Sequence, residues 1–293
     1  MSLVAHMPMS AIAALFGESD TTFWRIFKFY VSGWIKEELD LNNVYRVCVD
    51  ETAIKRGHNY VTIFTDYDTG NVIYVADGRK KEVFERFYGW LFDKGGHPEK
   101  IELISIDMSK NYKAGCRDYF AHSEVVFDRF HIKKAINDAL NKVRIKENVD
   151  NQILKNTKYL WLKNDVNLTE FEKEKLSTIL ADSSLKTGLA YKLKLEFEEV
   201  WRFQAKAVEP ALLAWCQRVK DSKIRPLINF VRTLVNHWKG IVNALTMLIN
   251  NGVSEGINSK IQAAKSKARG YPNSENFKAM IYYIGNDMNL TFH

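Results

Sequence analysis

Carboxylates carry the most legible chemistry in this chain. Residues 44–50 (VYRVCVD) and 101–107 (IELISID) are apolar runs that each end on an aspartate, Asp50 and Asp107, and Glu255 opens a third segment with helical spacing, SEGINSKIQAAKSKARG from Ser254. Short runs rich in Val and Ile suit buried strands, and a carboxylate at the carboxyl end of such a strand emerges where α/β sheets present ligands. Magnesium takes that kind of hard oxygen ligand, with substrate phosphate oxygens completing its shell. Two ions about 3.5 to 4 Å apart stabilise both the attacking and the leaving oxygen of an in-line phosphoryl displacement. One aspartate closing a strand serves equally well as a turn cap, whereas three carboxylates in this order point to a metal site acting on phosphodiesters.

The elements that must position these acids follow from periodicity. Residues 58–66 and 71–77 alternate around YDTGN, which signals a hairpin after the first strand. Residues 80–92 carry Val83, Phe84, Phe87, Trp90 and Leu91 at helical intervals, a further helix starts near Lys110, residues 124–127 give a short fifth strand, and a helix follows over 129–145. The order βββαβαβα fits an α/β fold of the RNase H-like kind, a mixed five-stranded sheet with flanking helices whose first and fourth strands are neighbours. Strand patterns then vanish until about residue 250, and helical ones such as 191–217 and 226–249, punctuated by Pro210 and Pro226, predict an all-helical insertion before the last catalytic helix. The expected organisation is therefore a segment over 1–40, a first core part over 41–146, the insertion over 147–250 and a last core part over 251–293 carrying Glu255.

Residues 10–30 read as two short helices around Gly17, the second capped by Ser19 or Asp20 with Phe23, Ile26, Phe27 and Tyr30 on its apolar face. This is helix-turn-helix-like spacing; Thr21, Thr22, Arg25 and Lys28 would then be free for phosphates or base edges, and an ordinary helical hairpin fits the pattern as well. In the Glu255 helix, Ile257, Ile261, Ala264 and Ala268 form an apolar stripe, with Glu255, Asn258, Ser259, Gln262 and Arg269 on the opposite, substrate-facing arc. Ser254 is positioned to cap the helix, and Lys260, Lys265, Lys267 and Arg269 add cationic DNA contacts. A solubilised amphipathic surface helix is the plain alternative. Lys55, Arg56 and His58 form either a backbone contact or a polar turn. Trp201, Trp215 and Trp238 fall in apolar helical patterns as core of the insertion.

Composition is that of an ordinary globular protein: 46% hydrophobic and 13% aromatic residues provide ample core. Cys48, Cys116 and Cys216 are widely spaced and belong to no metal-binding or disulfide pattern, so buried thiols are expected. A formal net charge of +7 favours an anionic partner. With no apolar run long enough for a membrane span, a cytoplasmic protein in contact with the nucleoid is expected.

In order along the chain, VDE at Asp50 and Glu51, KRGHNYVTIFTD from Lys55, IDMSKNY from Asp107, FDRFHIKKA from Phe127 and SEGINSKIQAAKSKARGY from Ser254 resemble the DDE transposases of bacterial insertion sequences, specifically the ISL-three group. The resemblance covers most of the chain. It implies that Asp50, Asp107 and Glu255 bind two Mg2+ ions, for which Mn2+ substitutes, and activate water or a DNA 3′-hydroxyl. Asp50 would bridge the ions, and strand alternation turns the neighbouring Glu51 away. Asp128 and His131 form a D-x-x-H segment similar to one near the active site of related transposases; His131 would position a phosphate or a flipped nucleotide, or share a structural hydrogen bond with Asp128. Lys133 and Lys134 follow as DNA-contact candidates. The implied partners are double-stranded DNA, as element ends and target, and a second protomer in a homodimer on that DNA. Members of the group usually begin with a zinc ribbon, and none precedes Val4, so an incomplete transposase is expected. An RNase H-like nuclease without strand transfer and a non-catalytic DNA-binding relative stand as alternatives.

Overall fold

The computed structural model describes residues 2–54, 59–163, 167–247, 252–271, 273–286 and 288. Two compact units emerge, one comprising 1–126 with 250–293 and the other 127–249.

The first unit is built on the sheet β1 (Arg46–Ala53), β2 (Tyr60–Asp66), β3 (Val72–Asp77), β4 (Leu103–Ile106) and β5 (Glu124–Phe127), ordered β3-β2-β1-β4-β5. β1 is antiparallel to β2 and parallel to β4, so the first and fourth strands are neighbours as the sequence predicts. The five strands with helices on both faces form an α/β, RNase H-like mixed sheet. β1 extends beyond the apolar run: it continues through Glu51 and Thr52 to Ala53, which pairs with Tyr60. Asp50 thus lies inside the strand instead of closing it, because pairing with β2 carries the extended backbone past the point where hydrophobicity stops.

One face of this sheet meets α3 (Glu82–Asp93) and α4 (Lys110–Tyr119) through stacked aromatics: the Phe64 and Phe87 rings lie 4.2 Å apart, and Phe84 packs edge-on against both Phe64 and Tyr112. The other face packs Ile54, Val61, Ile63, Val72 and Val75 against α2 (Asp20–Glu37), α12 (Gly252–Lys267) and α13 (Ser274–Gly285). α13 is fastened to β3 at three points. The Tyr282 hydroxyl accepts from Val75 N at 3.1 Å, Lys278 Nζ donates to Asp77 at 2.8 Å, and Asn286 Nδ2 donates to Val72 O at 3.1 Å.

α1 (Met9–Leu15) and α2 are joined through Gly17, whose φ of 69° is a left-handed conformation that glycine adopts without strain. Ser19 caps α2 by accepting from Thr22 N. The buried face of α2 overlaps the expected one and is shifted from it: Phe27 and Val31 are enclosed with Phe23, Trp24, Trp34 and Ile35 packed beside them, while Ile26 turns outward. Docking onto α13 selects this face, and Met9, Ile12, Phe27 and Val31 join the same core as the sheet. Residues 1–40 are thus part of the compact sheet unit.

The second unit is helical: α5 (Arg129–Glu147), α6 (Lys158–Leu162), α7 (Glu170–Leu180), α8 (Lys186–Val200), α9 (Ala205–Asp221), α10 (Arg225–Asn236) and α11 (Trp238–Thr246). It begins at Phe127, so α5 belongs to it, ahead of the expected start at 147. The pattern over 191–217 is two helices parted at residues 201–204, and Pro210 lies inside α9 rather than at its start. Pro210 is exposed, so water can satisfy the carbonyl its missing N–H leaves open. Phe197, Trp215 and Phe230 form the core, with Trp215 Nε1 donating to Leu193 O at 2.8 Å. Trp201 is buried, but Trp238 is only half-buried and donates to Glu209.

Candidate active site on the central strand

The β1–β4 register places the two aspartates. Cys48 pairs with Ser105; continuing by two residues on each strand brings Asp50 level with Asp107, on strands that run roughly 4.8 Å apart where they pair. Beyond Cys48 and Ser105 the ladder stops, so the edges of β1 and β4 part at the two acids. Both aspartates are half-buried. Asp107 leaves the end of β4 and its Oδ1 accepts from Ser109 N at 2.8 Å, a turn that leads into α4. Asp50 Oδ1 accepts from Glu51 N at 2.7 Å.

The tie to the late helix comes from Asn258. Its Nδ2 donates to Asp50 Oδ2 at 2.5 Å, Gln262 Nε2 donates to Thr52 Oγ1 at 3.1 Å, and Lys265 Nζ donates to Ala53 O. Positions 258, 262 and 265 repeat at helical spacing and meet 50, 52 and 53 of β1, so α12 lies along the strand. The sequence places Asn258 and Gln262 on a free substrate-facing arc and Lys265 among DNA contacts; all three instead touch β1. An amphipathic pattern separates apolar from polar residues, but a polar face against a strand edge resembles one against water. Burial lowers the pKa of the Lys265 ammonium.

Glu255 is exposed in the first turn of α12, three residues ahead of Asn258. One helical turn, roughly 5 Å along the axis, separates it from the residue that contacts Asp50. Ser254 also lies in the helix, which starts at Gly252, so it is not the cap; its side chain is outside the described residues. Among the described residues no three acidic, histidine or cysteine side chains converge closely enough to hold a metal ion. The donor chemistry nevertheless suits one. Carboxylate oxygens accept hydrogen bonds from amides, as Asp50 does from Asn258 Nδ2 and Asp107 from Ser109 N, and the same oxygens ligate hard cations. Paired hard-oxygen acids at a strand opening fit a magnesium-type cation.

Glu51 pairs with Thr62, on the sheet face opposite Asp50, and its Oε1 accepts from Arg79 at 3.2 Å. Thr62 donates to Gly78 O, which leaves the buried Tyr112 hydroxyl to donate to Thr62 Oγ1 at 2.9 Å. Burial raises the Tyr112 pKa, and the charges of Glu51, Asp107 and Asp50 raise it further. One buried hydroxyl thus senses all three acids of the strand ends.

The remaining sequence candidates are dispersed. Arg25 and Lys28 of α2 border one hollow of the sheet unit, and Lys260 and Lys267 another. Arg269 is exposed at a left-handed position, φ 54°, just after α12. In the helical unit, Asp128 caps α5 by accepting from Phe130 N at 2.8 Å and pairs with His131 Nδ1 at 2.7 Å, the structural hydrogen bond named above as an alternative. Lys134 is exposed and Lys133 half-buried on that helix. Lys55, Arg56 and His58 lie outside the described residues. Cys48, Cys116 and Cys216 are buried thiols outside any disulfide, as expected.

An acid-bearing central strand, a second acid after its parallel neighbour and a late helix docked alongside define an RNase H-like protein. A family model described as "Transposase" matches residues 47–281. The chain is similar to the transposase for insertion sequence element IS1001 of Bordetella parapertussis, 28% identical over 250 residues that cover 82% of this chain and 61% of that protein. It is similar also to the transposase for insertion sequence element IS1557 of Mycobacterium tuberculosis, 24% identical over 267 residues covering 78% and 57%. It belongs to the DDE transposases of the ISL-three group. It spans about 60% of the length of these curated relatives. No described helix is long and apolar enough to cross a membrane.

Proposed function

We propose that this chain carries the catalytic unit of an insertion-sequence transposase, cutting DNA at element ends and joining the freed 3′-hydroxyls to target DNA. The observation that carries the reading is the β1–β4 register, which brings Asp50 level with Asp107, with Asn258 tying the Glu255 helix to Asp50. Asp50, Asp107 and Glu255 would hold two Mg2+ ions, which when bound supply charge neutralisation at the attacking and leaving oxygens. Asp50, beside Asp107 in the strand register and tied to the Glu255 helix through Asn258, would be the central ligand of the set. Asn258 fixes the Asp50 carboxylate, and Ser109 N fixes that of Asp107, so neither acid has to be reoriented as substrate arrives. The first turn of α12 presents the positive end of the helix dipole beside Glu255, which favours a phosphate there.

Double-stranded DNA as element end and target, a homodimer formed on that DNA, and a place in the cytoplasm on the nucleoid complete the proposal. Residues 1–40 and the helical unit serve as accessory parts, the former as a DNA-contacting segment through Arg25 and Lys28. A strand-transfer assay tests it. The purified chain with Mg2+ or Mn2+ and a labelled element-end duplex should yield 3′-hydroxyl ends joined to a target plasmid. Glu255→Gln should abolish both steps while DNA affinity stays. Cleaved ends that never join would favour a nuclease, and binding without metal-dependent cleavage a non-catalytic relative.

A further inference from the structure

The positive charge of the chain is not shared between its two units. Residues 127–249 hold 22 lysines and arginines against 14 acids, a formal +8, whereas residues 1–126 with 250–293 hold 20 against 21, a formal −1. The unit with the acid-bearing strand therefore has no net attraction for a polyanion, and the helical unit has one.

Within the helical unit, α5 packs on α10, and a groove of about 340 Å³ runs between them. Ala135 and Ala139, one turn apart on α5, line it, and their short side chains keep it open. Its charged groups are Lys142 of α5, Arg225 of α10 and one acid, Asp138. Lys142 and Arg225 are exposed, and neither pairs with an acid among the described residues. Lys134, one turn before Asp138 on the same row of α5, is likewise exposed and without an acidic partner there. On α10, Arg232 donates to Asn229 Oδ1 at 3.2 Å, a neutral acceptor that does not cancel its charge, and the bond leaves the Asn229 amide nitrogen as a further donor at the groove.

This distribution suits an extended anion better than a compact one. Lys134 and Lys142 are eight residues apart on one helix, roughly 12 Å along the axis. That is the rise of about three to four nucleotides of a duplex strand, at roughly 3.4 Å each. The aromatic ring that lines the groove, Phe230, is buried and packs on Phe197 and Trp215, so it offers no face on which a base could stack. The groove therefore matches phosphates and not bases, a contact that positions DNA without reading its sequence.

We propose that the α5–α10 groove of the helical unit binds the phosphodiester backbone of duplex DNA, with Lys134, Lys142, Arg225 and Arg232 on its phosphates and Asp138 limiting the affinity. The proposal rests on the transposase reading for its partner; the surface itself is tested by binding alone, in the Asp50→Asn chain without metal, where no cleavage intervenes.

The probe is a labelled 30-base-pair duplex of arbitrary sequence, titrated with the full chain and followed by fluorescence anisotropy over a range of salt. Lys142→Gln with Arg225→Gln should weaken binding and reduce the slope of log K against log salt by about 1.8, at about 0.9 per lost phosphate contact. Lys94→Gln with Lys100→Gln, an equal loss of charge at exposed positions of the sheet unit, should leave the slope as it is. Asp138→Asn should tighten binding about two- to five-fold, the worth of one exposed charge contact, and a gain of affinity cannot come from a damaged fold. Lysine acetylation mapped by mass spectrometry should show Lys134 and Lys142 protected by the duplex. Equal slope losses in the two double variants, or no protection of Lys134 and Lys142, would overturn the groove. So would a groove variant that loses self-association in sedimentation yet keeps its DNA affinity, which would make this face a protein interface. A chain that shows the groove effects but never joins strands rejects transposition and leaves the groove; one that joins strands while the groove variants bind unchanged does the reverse.

Discussion

Asn258 Nδ2 lies 2.5 Å from Asp50 Oδ2, a hydrogen bond between residues 208 positions apart that fixes where the Glu255 helix sits on the central strand. With Gln262 on Thr52 and Lys265 on the Ala53 carbonyl, it makes the register of α12 on β1 a matter of three polar contacts as well as of Ile257 and Ile261 in the core. Removing Asn258 leaves the helix attached but takes away the hydrogen bond that orients Asp50 Oδ2. Asn258→Ala should therefore lower cleavage about 10- to 100-fold, the usual range for partners that orient a metal ligand. Mn2+ affinity, read by electron paramagnetic resonance, should fall with it, and stability should drop only about 1 kcal/mol. Unchanged Mn2+ affinity would exclude the positioning role.

Metal binding should also be visible without DNA. Only the folded chain holds the aspartates level, so Mg2+ should raise the melting temperature, by the equivalent of about 2.7 kcal/mol at a hundred times the dissociation constant. Asp50→Asn and Asp107→Asn should each abolish that increment in differential scanning fluorimetry. An equal increment in both variants would locate the cation elsewhere.

The approach of α4 to α3 holds the segment that follows Asp107. A Cβ built on Gly115 would fall 2.3 Å from Phe84 Cδ2 and 2.6 Å from its Cγ, and Phe84 is locked between Phe64 and Tyr112. The ring cannot retreat. Gly115→Ala should thus cost about 1 to 3 kcal/mol in urea unfolding despite its better helix propensity. A stabilised variant would show that the two helices can separate freely.

Much of this architecture was legible because burial leaves a hydrophobic signature. The strands over 101–106 and 124–127, the hairpin around Gly70 and the neighbouring first and fourth strands all follow from apolar runs and turn residues. Illegible were the polar parts of buried elements. Glu51 and Thr52 interrupt the apolar run, so β1 seemed to end at Asp50, whereas its pairing with β2 continues to Ala53. Asn258, Gln262 and Lys265 look like a solvent face, since nothing local distinguishes a strand from water as their partner. In α2, Phe23, Ile26, Phe27 and Tyr30 offer one face and Trp24, Phe27, Val31 and Trp34 another. The choice is made by Tyr271 and Tyr283, more than 240 residues away, which pack on Trp24 and Phe27.

Acid should loosen the sheet unit from its β3 edge. Burial by itself would raise the Asp77 pKa, but hydrogen bonds from Lys278 and Ser274 outweigh it and leave the carboxyl below its ordinary value. Burial would likewise lower the Lys278 pKa, and its bonds to Asp77 and Glu275 raise it instead. A carboxyl depressed in the folded state contributes stability above its unfolded pKa and loses it as pH falls through the folded one; a raised lysine contributes below its unfolded pKa and loses it as pH rises through the folded one. The Asp77–Lys278 pair therefore supports the fold across neutral pH and fails at both extremes, below about pH 4 on the acid side. Asp77 is about half exposed, so screening keeps its share to about 1 kcal/mol or less. Asp77→Asn should lower stability at pH 7 by that amount and flatten the fall between pH 5 and 3, and added salt should shrink the difference. Parallel pH profiles for parent and variant, measured by urea unfolding, would remove this pair from the acid response.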